Sequence, residues 1–299
     1  MKLSVCIPVY NFDVRELLFD LKKEISDKGI DAEIILIDDA SENSFKTINK
    51  ELENEVKKFI FLEKNIGRSK IRNLFLQYAE GDYMLFLDCD GKIIESNFLT
   101  IYVDFLKVNR NADVLYGGRT VVKNLIDKKY ILRWKFAIER ENLSISVRNK
   151  KPYLSFQTNN FVIKRKIFTT INFNPEFENY GYEDLLFAMD LKFKQIKIHH
   201  IDNPIFNNDL ESNDVYLLKV EESVESLYKM LKMSSIKLKI SEIKLVKAYT
   251  FLQKMHFESL FLSFFNLIDV RIKRNLLSVQ PDLRNLDLYK LGLLLKKMK

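Results

Sequence analysis

Four short apolar runs punctuate the first ninety residues: Leu3–Val9, Glu33–Ile37, Phe59–Leu62 and Tyr83–Leu87. β-Branched and aromatic side chains dominate them, and Pro, Asn, Asp or Gly bounds them, as expected of buried strands. Between them lie stretches of helical period. Val14, Leu17, Leu18, Leu21 and Ile25 form one stripe, closed by Gly29; Ser44–Lys57 reads as a helix; Ile71, Leu74, Phe75 and Tyr78 share another face, stopped by Gly81. Strand and helix in strict alternation predict a doubly wound α/β domain on a parallel sheet. Ligands of such sheets bind beyond the carboxyl ends of the strands. Asp38, Asp39, Asp88 and Asp90 all stand at such ends.

After residue 92 the pattern loosens. Ser96–Val108 reads as a helix, Val114–Gly118, Phe161–Ile163 and Ile196–His200 as strands, and Glu183–Lys192 as a helix, while 119–156 mixes Arg, Lys and aromatics without a clear period. From Asp214 onward the chain reads as helix. The polar stretch Asn207–Asp214 divides an expected catalytic domain, residues 1–210, from a helical appendage, residues 211–299.

Charge follows the same division. Residues 214–299 hold 16 Lys and Arg against 9 Asp and Glu, whereas the first 213 residues balance at 32 of each. A basic amphipathic tail is suited to the anionic inner face of a membrane, or to packing on the domain or on a second copy as a homo-oligomer. Its stripe is read through Val215, Leu218, Val224, Leu227 and Leu231, and its aromatic cluster as Phe251, Phe257, Phe261, Phe264 and Phe265. No basic-aromatic motif for nucleic acid occurs, so a nucleic-acid partner is not expected. Cys6 and Cys89 fall in strand-like runs and read as buried free thiols; with no signal-peptide pattern and no uncharged run of spanning length, a cytoplasmic location is expected.

Asp88 and Asp90, two apart past a strand end, can aim at one point. A hard cation such as Mg2+ or Mn2+ takes one or two carboxylates plus substrate phosphates, and neutralises charge on a departing diphosphate. A solvated acidic turn is the plain alternative. Asp38-Asp39 closes the second strand, either with a carboxylate that bonds a base or ribose edge or as a strand-to-loop turn with two solvated acids. Asn65-Ile66-Gly67-Arg68 opens a helix with Lys70 and Arg72, which is either a setting for an anion or an ordinary exposed basic face. Asp184 and Glu183 follow Gly181-Tyr182 at another helix start. Acids there are ordinary dipole partners, but a carboxylate could also act as general base toward an attacking hydroxyl. His199-His200 is either a strand end or a metal ligand. Trp134 is either a sugar platform or a packing residue.

The segments Ser4–Asn11, Ile35–Ser41, Asn65–Asn73, Gly81–Asp90 and Gly181–Asp184, in this order, resemble the family 2 glycosyltransferases, with their GT-A nucleotide-binding fold. The resemblance covers roughly residues 1–210. It implies inverting transfer from a nucleotide sugar, UDP-linked in most of the family, to a glycan or lipid-linked acceptor. Pro8, Tyr10 and Asp38 would surround the nucleobase, and Asn65, Gly67, Arg68 and Arg72 would line the nucleotide pocket. Asp88 would face ribose and donor sugar, with Asp88 and Asp90 at the metal. Asp184 would be the base, with Glu183 beside it. Gln157–Asn160 would wall the site. Relatives often carry a metal-binding His where this chain has Asn207; Asn207 or Asn208 would serve, or His199 or His200 would substitute, or the metal would be held more weakly. Two other readings remain at this point. One is a sugar-phosphate nucleotidyltransferase, disfavoured because Tyr10–Asp13 lacks the expected glycines; the other is a non-catalytic relative of the same fold.

Overall fold

The computed structural model describes residues 1–125, 127–177, 180–207 and 210–299. In chain order the elements are β1 (Leu3–Val9), α1 (Arg15–Lys28), β2 (Ala32–Asp38), α2 (Asn43–Lys50), β3 (Lys58–Phe61), α3 (Arg68–Leu74), β4 (Tyr83–Leu87) and β5 (Gly91–Lys92). Then come α4 (Phe98–Val108), β6 (Val114–Tyr116), β7 (Arg119–Thr120), α5 (Ile131–Phe136), α6 (Ile145–Lys150), β8 (Asn160–Lys164) and α7 (Arg165–Phe168). The chain ends with α8 (Glu183–Phe193), β9 (Ile198–His200), β10 (Ile205–Asn207), α9 (Asn213–Lys232), α10 (Ser234–Lys237), α11 (Lys244–Lys254), α12 (Glu258–Leu276) and α13 (Leu283–Met298).

The main sheet has the order β3-β2-β1-β4-β8-β6-β9. Strands β1 to β4 are mutually parallel, but β8 runs antiparallel between β4 and β6. The sheet is therefore mixed rather than parallel. The βαβ period ends at residue 92, so β8 arrives from a long excursion rather than a crossover helix. That reversal matters for the site. It brings the start of β8 to the edge where β1, β2 and β4 end, and the Asp88 amide donates to the Asn159 carbonyl there at 3.1 Å.

Both faces of the sheet are covered, as the near-continuous apolar strands demand. One layer packs Leu17, Leu18 and Leu21 of α1 with Leu99, Tyr102 and Leu106 of α4. The other interlocks Phe86, Phe156, Phe161, Phe168, Phe173 and Phe187, with Phe173 and Phe187 stacked at 4.3 Å. Each such ring buried contributes about 1.5–3 kcal/mol. A small second sheet, β5-β10-β7, lies beside the active edge, and in its register Asn207 opposes Gly91.

Three sequence expectations change. Ser44–Lys57 is not one helix: α2 stops at Lys50 and a 3-10 turn, Glu51–Asn54, seats Leu52 in the core. The α9 stripe is out of phase at its start, since Val215 and Leu218 are exposed and Tyr216, Leu217 and Val220 are buried. Val224, Val220 and the pair Tyr216–Leu217 succeed one another at helical spacing along the buried face, whereas Val215 and Leu218 lie on the exposed side. The aromatic cluster reduces to Phe261 stacked on Phe265, because Phe251, Phe257 and Phe264 face outward.

Helices α9 to α13 are not detached from the α/β part. Leu186 of α8 and Phe177 share a core with Val224, Leu227 and Leu294, and Leu132 of α5 shares another with Tyr216, Phe265 and Leu286.

Candidate active site

Two adjoining cavities, of about 310 and 330 Å³, open at the carboxyl edge of the sheet. The first is walled by Pro8, Tyr10, Asp39, Arg72, Asp90 and Asn207, the second by Gln157, Asn159, Asp184, Tyr216, Ser223 and Lys290. Arg68, Asp88, Arg119, Arg133, Tyr180 and Lys219 line both, so the two form one cleft.

Asp88 ends β4 and turns toward two guanidinium groups. Arg72 Nη2 donates to Asp88 Oδ1 at 2.6 Å, and Arg68 Nη2 lies 3.5 Å from Oδ2. Arg72 is 2% exposed, so this pair sits in a weakly screened setting. Both oxygens of Asp88 thereby face Arg guanidinium groups. Asp90 is different. Its Oδ2 accepts from Asn207 Nδ2 at 2.7 Å, and burial, with Asp88 nearby, pushes its carboxyl up to about 6. A carboxyl lifted in this way, in a cavity, gains from an added cation. Mg2+ and Mn2+ take as little as one protein carboxylate when substrate phosphates complete the shell. Asp90 with Asn207 fits that role. Among the described residues no cluster of three His, Cys, Asp or Glu suits a metal.

The histidines do not substitute. His200 Nε2 lies 3.0 Å from the Pro152 carbonyl, its ring meets Tyr116 edge-on, and burial holds it low at about 4. His199 packs on Phe105. Both belong to β9, at the far edge of the sheet. Asn208 lies outside the described residues. Trp134 lines neither cavity; its Nε1 donates to the Val122 carbonyl at 2.8 Å, a packing role.

Asp38 and Asp39 divide the work differently from expectation. Asp38 is fully buried, accepts the Ser41 amide at 2.8 Å, and does not line the cleft; its Oδ2 has no partner among the described residues. Asp39 does line it, and accepts the amides of Ile66 and Gly67 at 2.7 and 3.1 Å. Those donors, expected to face a ligand anion, are already satisfied by an internal carboxylate. Asn65 and Gly67 accordingly hold the turn rather than the cavity wall. Asn65 Nδ2 reaches the Asp39 carbonyl at 3.1 Å, and Gly67 takes φ +81°, open to a residue without Cβ.

At the start of α8, Glu183 accepts from Arg68 Nε at 2.7 Å and from the Gly181 amide at 2.9 Å. It is thus fixed, and its fixation positions the turn that presents Asp184. Burial first, and the Glu183 charge second, raise the Asp184 carboxyl to about 7. Gly181 has φ +104°, and a Cβ there would lie 2.8 Å from Ser223 Cα of α9. The helical region therefore sets where α8 begins.

Several residues of the cleft carried no readable signal in the sequence. Arg119 and Arg133 both reach Glu141, at 2.9 and 2.8 Å, and Arg133 also meets Glu211 at 3.3 Å. Lys219 pairs with Glu211, and burial lowers Lys290 of α13 to about 8. Arg119 Nε and Nη2 and both polar atoms of Asn159 are buried and find no hydrogen-bond partner among the described residues. Asn160, by contrast, is structural: it bonds Tyr102, Gly118 and Asn203. Aromatics interleaved with Arg over 119–156 were the only hint, and their partners lie as far away as α13.

A family model described as glycosyl transferase family 2 matches residues 4–173, more than half of the 299 residues. The chain belongs to this family. Among curated relatives of this glycosyltransferase, the cholesterol galactosyltransferase of Borreliella burgdorferi is 26% identical, over 95% of this chain and 84% of that protein. Among solved structures, residues 1–349 of Staphylococcus aureus TarS in complex with UDP superpose with a TM-score of 0.52 at 21% identity, over 97% of this chain and 89% of that one. The mannosyltransferase PcManGT from Pyrobaculum calidifontis, in complex with GDP-Man and Mn2+, gives 0.56 at 16% identity, over 83% and 69%. At these identities the structural likeness is one of fold, and the fold is GT-A.

Proposed function

We propose that this glycosyltransferase inverts the anomeric centre as it moves a hexosyl or N-acetylhexosaminyl group from a UDP sugar to a hydroxyl of a glycan or lipid-linked acceptor. Asp184 carries the reading. It is a carboxyl held near neutrality by burial, in a cavity that opens onto the Asp88–Asp90 turn. A base that deprotonates near the working pH is suited to accept a hydroxyl proton in the transition state.

The donor nucleotide would lie in the cavity of Pro8, Tyr10 and Asp39, with Asp38 behind it. UDP in the TarS complex supports that class of donor, and the name of the galactosyltransferase relative supports a hexosyl group. Asp90 and Asn207 would hold Mn2+ or Mg2+ together with the donor phosphates; when bound, the cation neutralises charge developing on the leaving diphosphate. Arg72 and Arg68 hold Asp88 toward ribose and donor-sugar hydroxyls. Asp184 takes the proton from the acceptor hydroxyl as that oxygen bonds to the anomeric carbon, and the nucleoside diphosphate departs with the bonding pair. One displacement of this kind inverts. Residues 1–210 would carry the donor chemistry, while 211–299 wall the acceptor side through Tyr216, Lys219, Ser223 and Lys290.

Calorimetric titration of UDP with and without Mn2+ tests this. The parent should bind at least about tenfold tighter with Mn2+, and Asp90→Ala should lose that difference. Equal affinity in all four titrations removes the metal assignment. A hydrolysis screen across nucleotide sugars then identifies the donor.

A further inference from the structure

Helix α12 buries one face and leaves the other exposed among the described residues. Leu262, Phe265, Ile272 and Leu276 turn inward. On the opposite side Leu260, Phe264 and Leu267 are 69, 52 and 84% exposed. Phe257, the N-cap of α12, begins the same line, since 257, 260, 264 and 267 follow in steps of three and four. Phe251 and Met255, four residues apart at the end of α11, are exposed just before it. The α12 stripe alone is about 15 Å long at the helical rise. Monomeric proteins rarely leave such a run to water.

Charge names the occupant. The next two places on the same line are Arg271 and Arg274, both exposed. Between residues 244 and 274 every exposed charged side chain is basic; Lys244 pairs with Asp287 and Lys273 with Glu221. The two acids there, Glu258 and Asp269, are half-buried, and Asp269 is paired with Lys296. A two-fold contact between copies would set this basic rim against itself. An anionic bilayer would receive both parts: apolar rings at the acyl boundary, guanidinium and ammonium groups at the phosphates. Among the described residues no helix is long and apolar enough to cross a membrane, so contact through α12 would be in the plane of the surface.

We propose that the outer face of α12, with the end of α11, docks the protein on an anionic membrane surface. The proposal does not depend on the donor chemistry. Its test is co-sedimentation of the full chain with vesicles of phosphatidylcholine, with or without about one-third phosphatidylglycerol. Binding to the anionic vesicles should exceed binding to the neutral ones by at least about tenfold and weaken with salt. Leu260→Ser, Phe264→Ser and Leu267→Ser together should lower it by at least about tenfold. Arg271→Gln with Arg274→Gln should abolish most of the anionic preference. All these side chains are exposed, so an unchanged thermal midpoint verifies the fold of each variant. Parent binding that ignores lipid charge, or a triple variant that still binds, overturns the proposal. So does a dimer in sedimentation velocity that the triple variant dissociates, which would assign the face to a second copy.

Discussion

Asp184 and Arg72 show how differently single side chains can serve one cleft. Asp184 is held uncomfortably, with burial lifting it to about 7. Since only the deprotonated carboxyl accepts a proton, kcat/KM should rise with pH from about 6 to about 8 and then level, falling about tenfold per pH unit on the acid limb. Asp184→Asn should bind UDP like the parent but lose about 10²–10⁴ of its transfer rate. Stability runs the other way. A carboxyl raised in the folded state binds its proton more tightly there than in the unfolded chain, so its contribution is present at acid pH and is lost as pH rises toward 7. Asp184→Asn should therefore melt no lower than the parent at pH 8. Arg72 is the opposite case: buried and paired with Asp88, it is costly to remove. Arg72→Ala leaves that carboxylate without its shortest ion pair, and urea unfolding should show a loss of about 3 kcal/mol. The sequence placed both residues at the site through their positions at strand and helix ends. It did not separate Asp38 from Asp39. Neighbours at a strand end face opposite sides, and the register decides which one meets the cavity.

At the scale of elements, strands were legible and helix phases less so. β1, β2, β3 and β4 follow from apolar runs with turn residues at both ends. Helix α9 was misphased at its start because Val215 and Leu218 are apolar yet face solvent, and periodicity alone gives no reason to prefer Tyr216. The turn before α8 could be recognised as Gly-Tyr-Glu-Asp, but its tightness could not. It comes from Ser223, forty-two residues onward. Gly181→Ala places a Cβ against that helix at a left-handed φ. It should cost about 1–3 kcal/mol in unfolding free energy and lower kcat, while UDP affinity stays near that of the parent. Equal loss of both would show that the turn supports the nucleotide side as well. The small sheet β5-β10-β7 is the least legible element, since strands of two or three residues carry almost no period, yet it sets Asn207 beside Asp90 and brings Arg119 to the cleft.

For the whole molecule, the buried cores run across the division expected at residue 210. Leu132, Phe177 and Leu186 complete their cores only with α9 to α13. A chain cut after residue 210 should be recovered as aggregate, whereas residues 1–299 elute as a defined species in size-exclusion chromatography; a monodisperse short form would show that the two parts fold independently. From residue order alone came the alternating strands and helices, the carboxylates at the strand ends and the basic balance of the last third, because each depends on neighbours a few positions apart. The antiparallel β8, the placing of Asp39 at the cavity wall and Asp38 beneath it, the Arg119–Glu141–Arg133 network, the packing of the histidines and the open face of α12 were decided by tertiary structure. Each depends on which residues distant in sequence share a wall, and burial and charge act through that proximity.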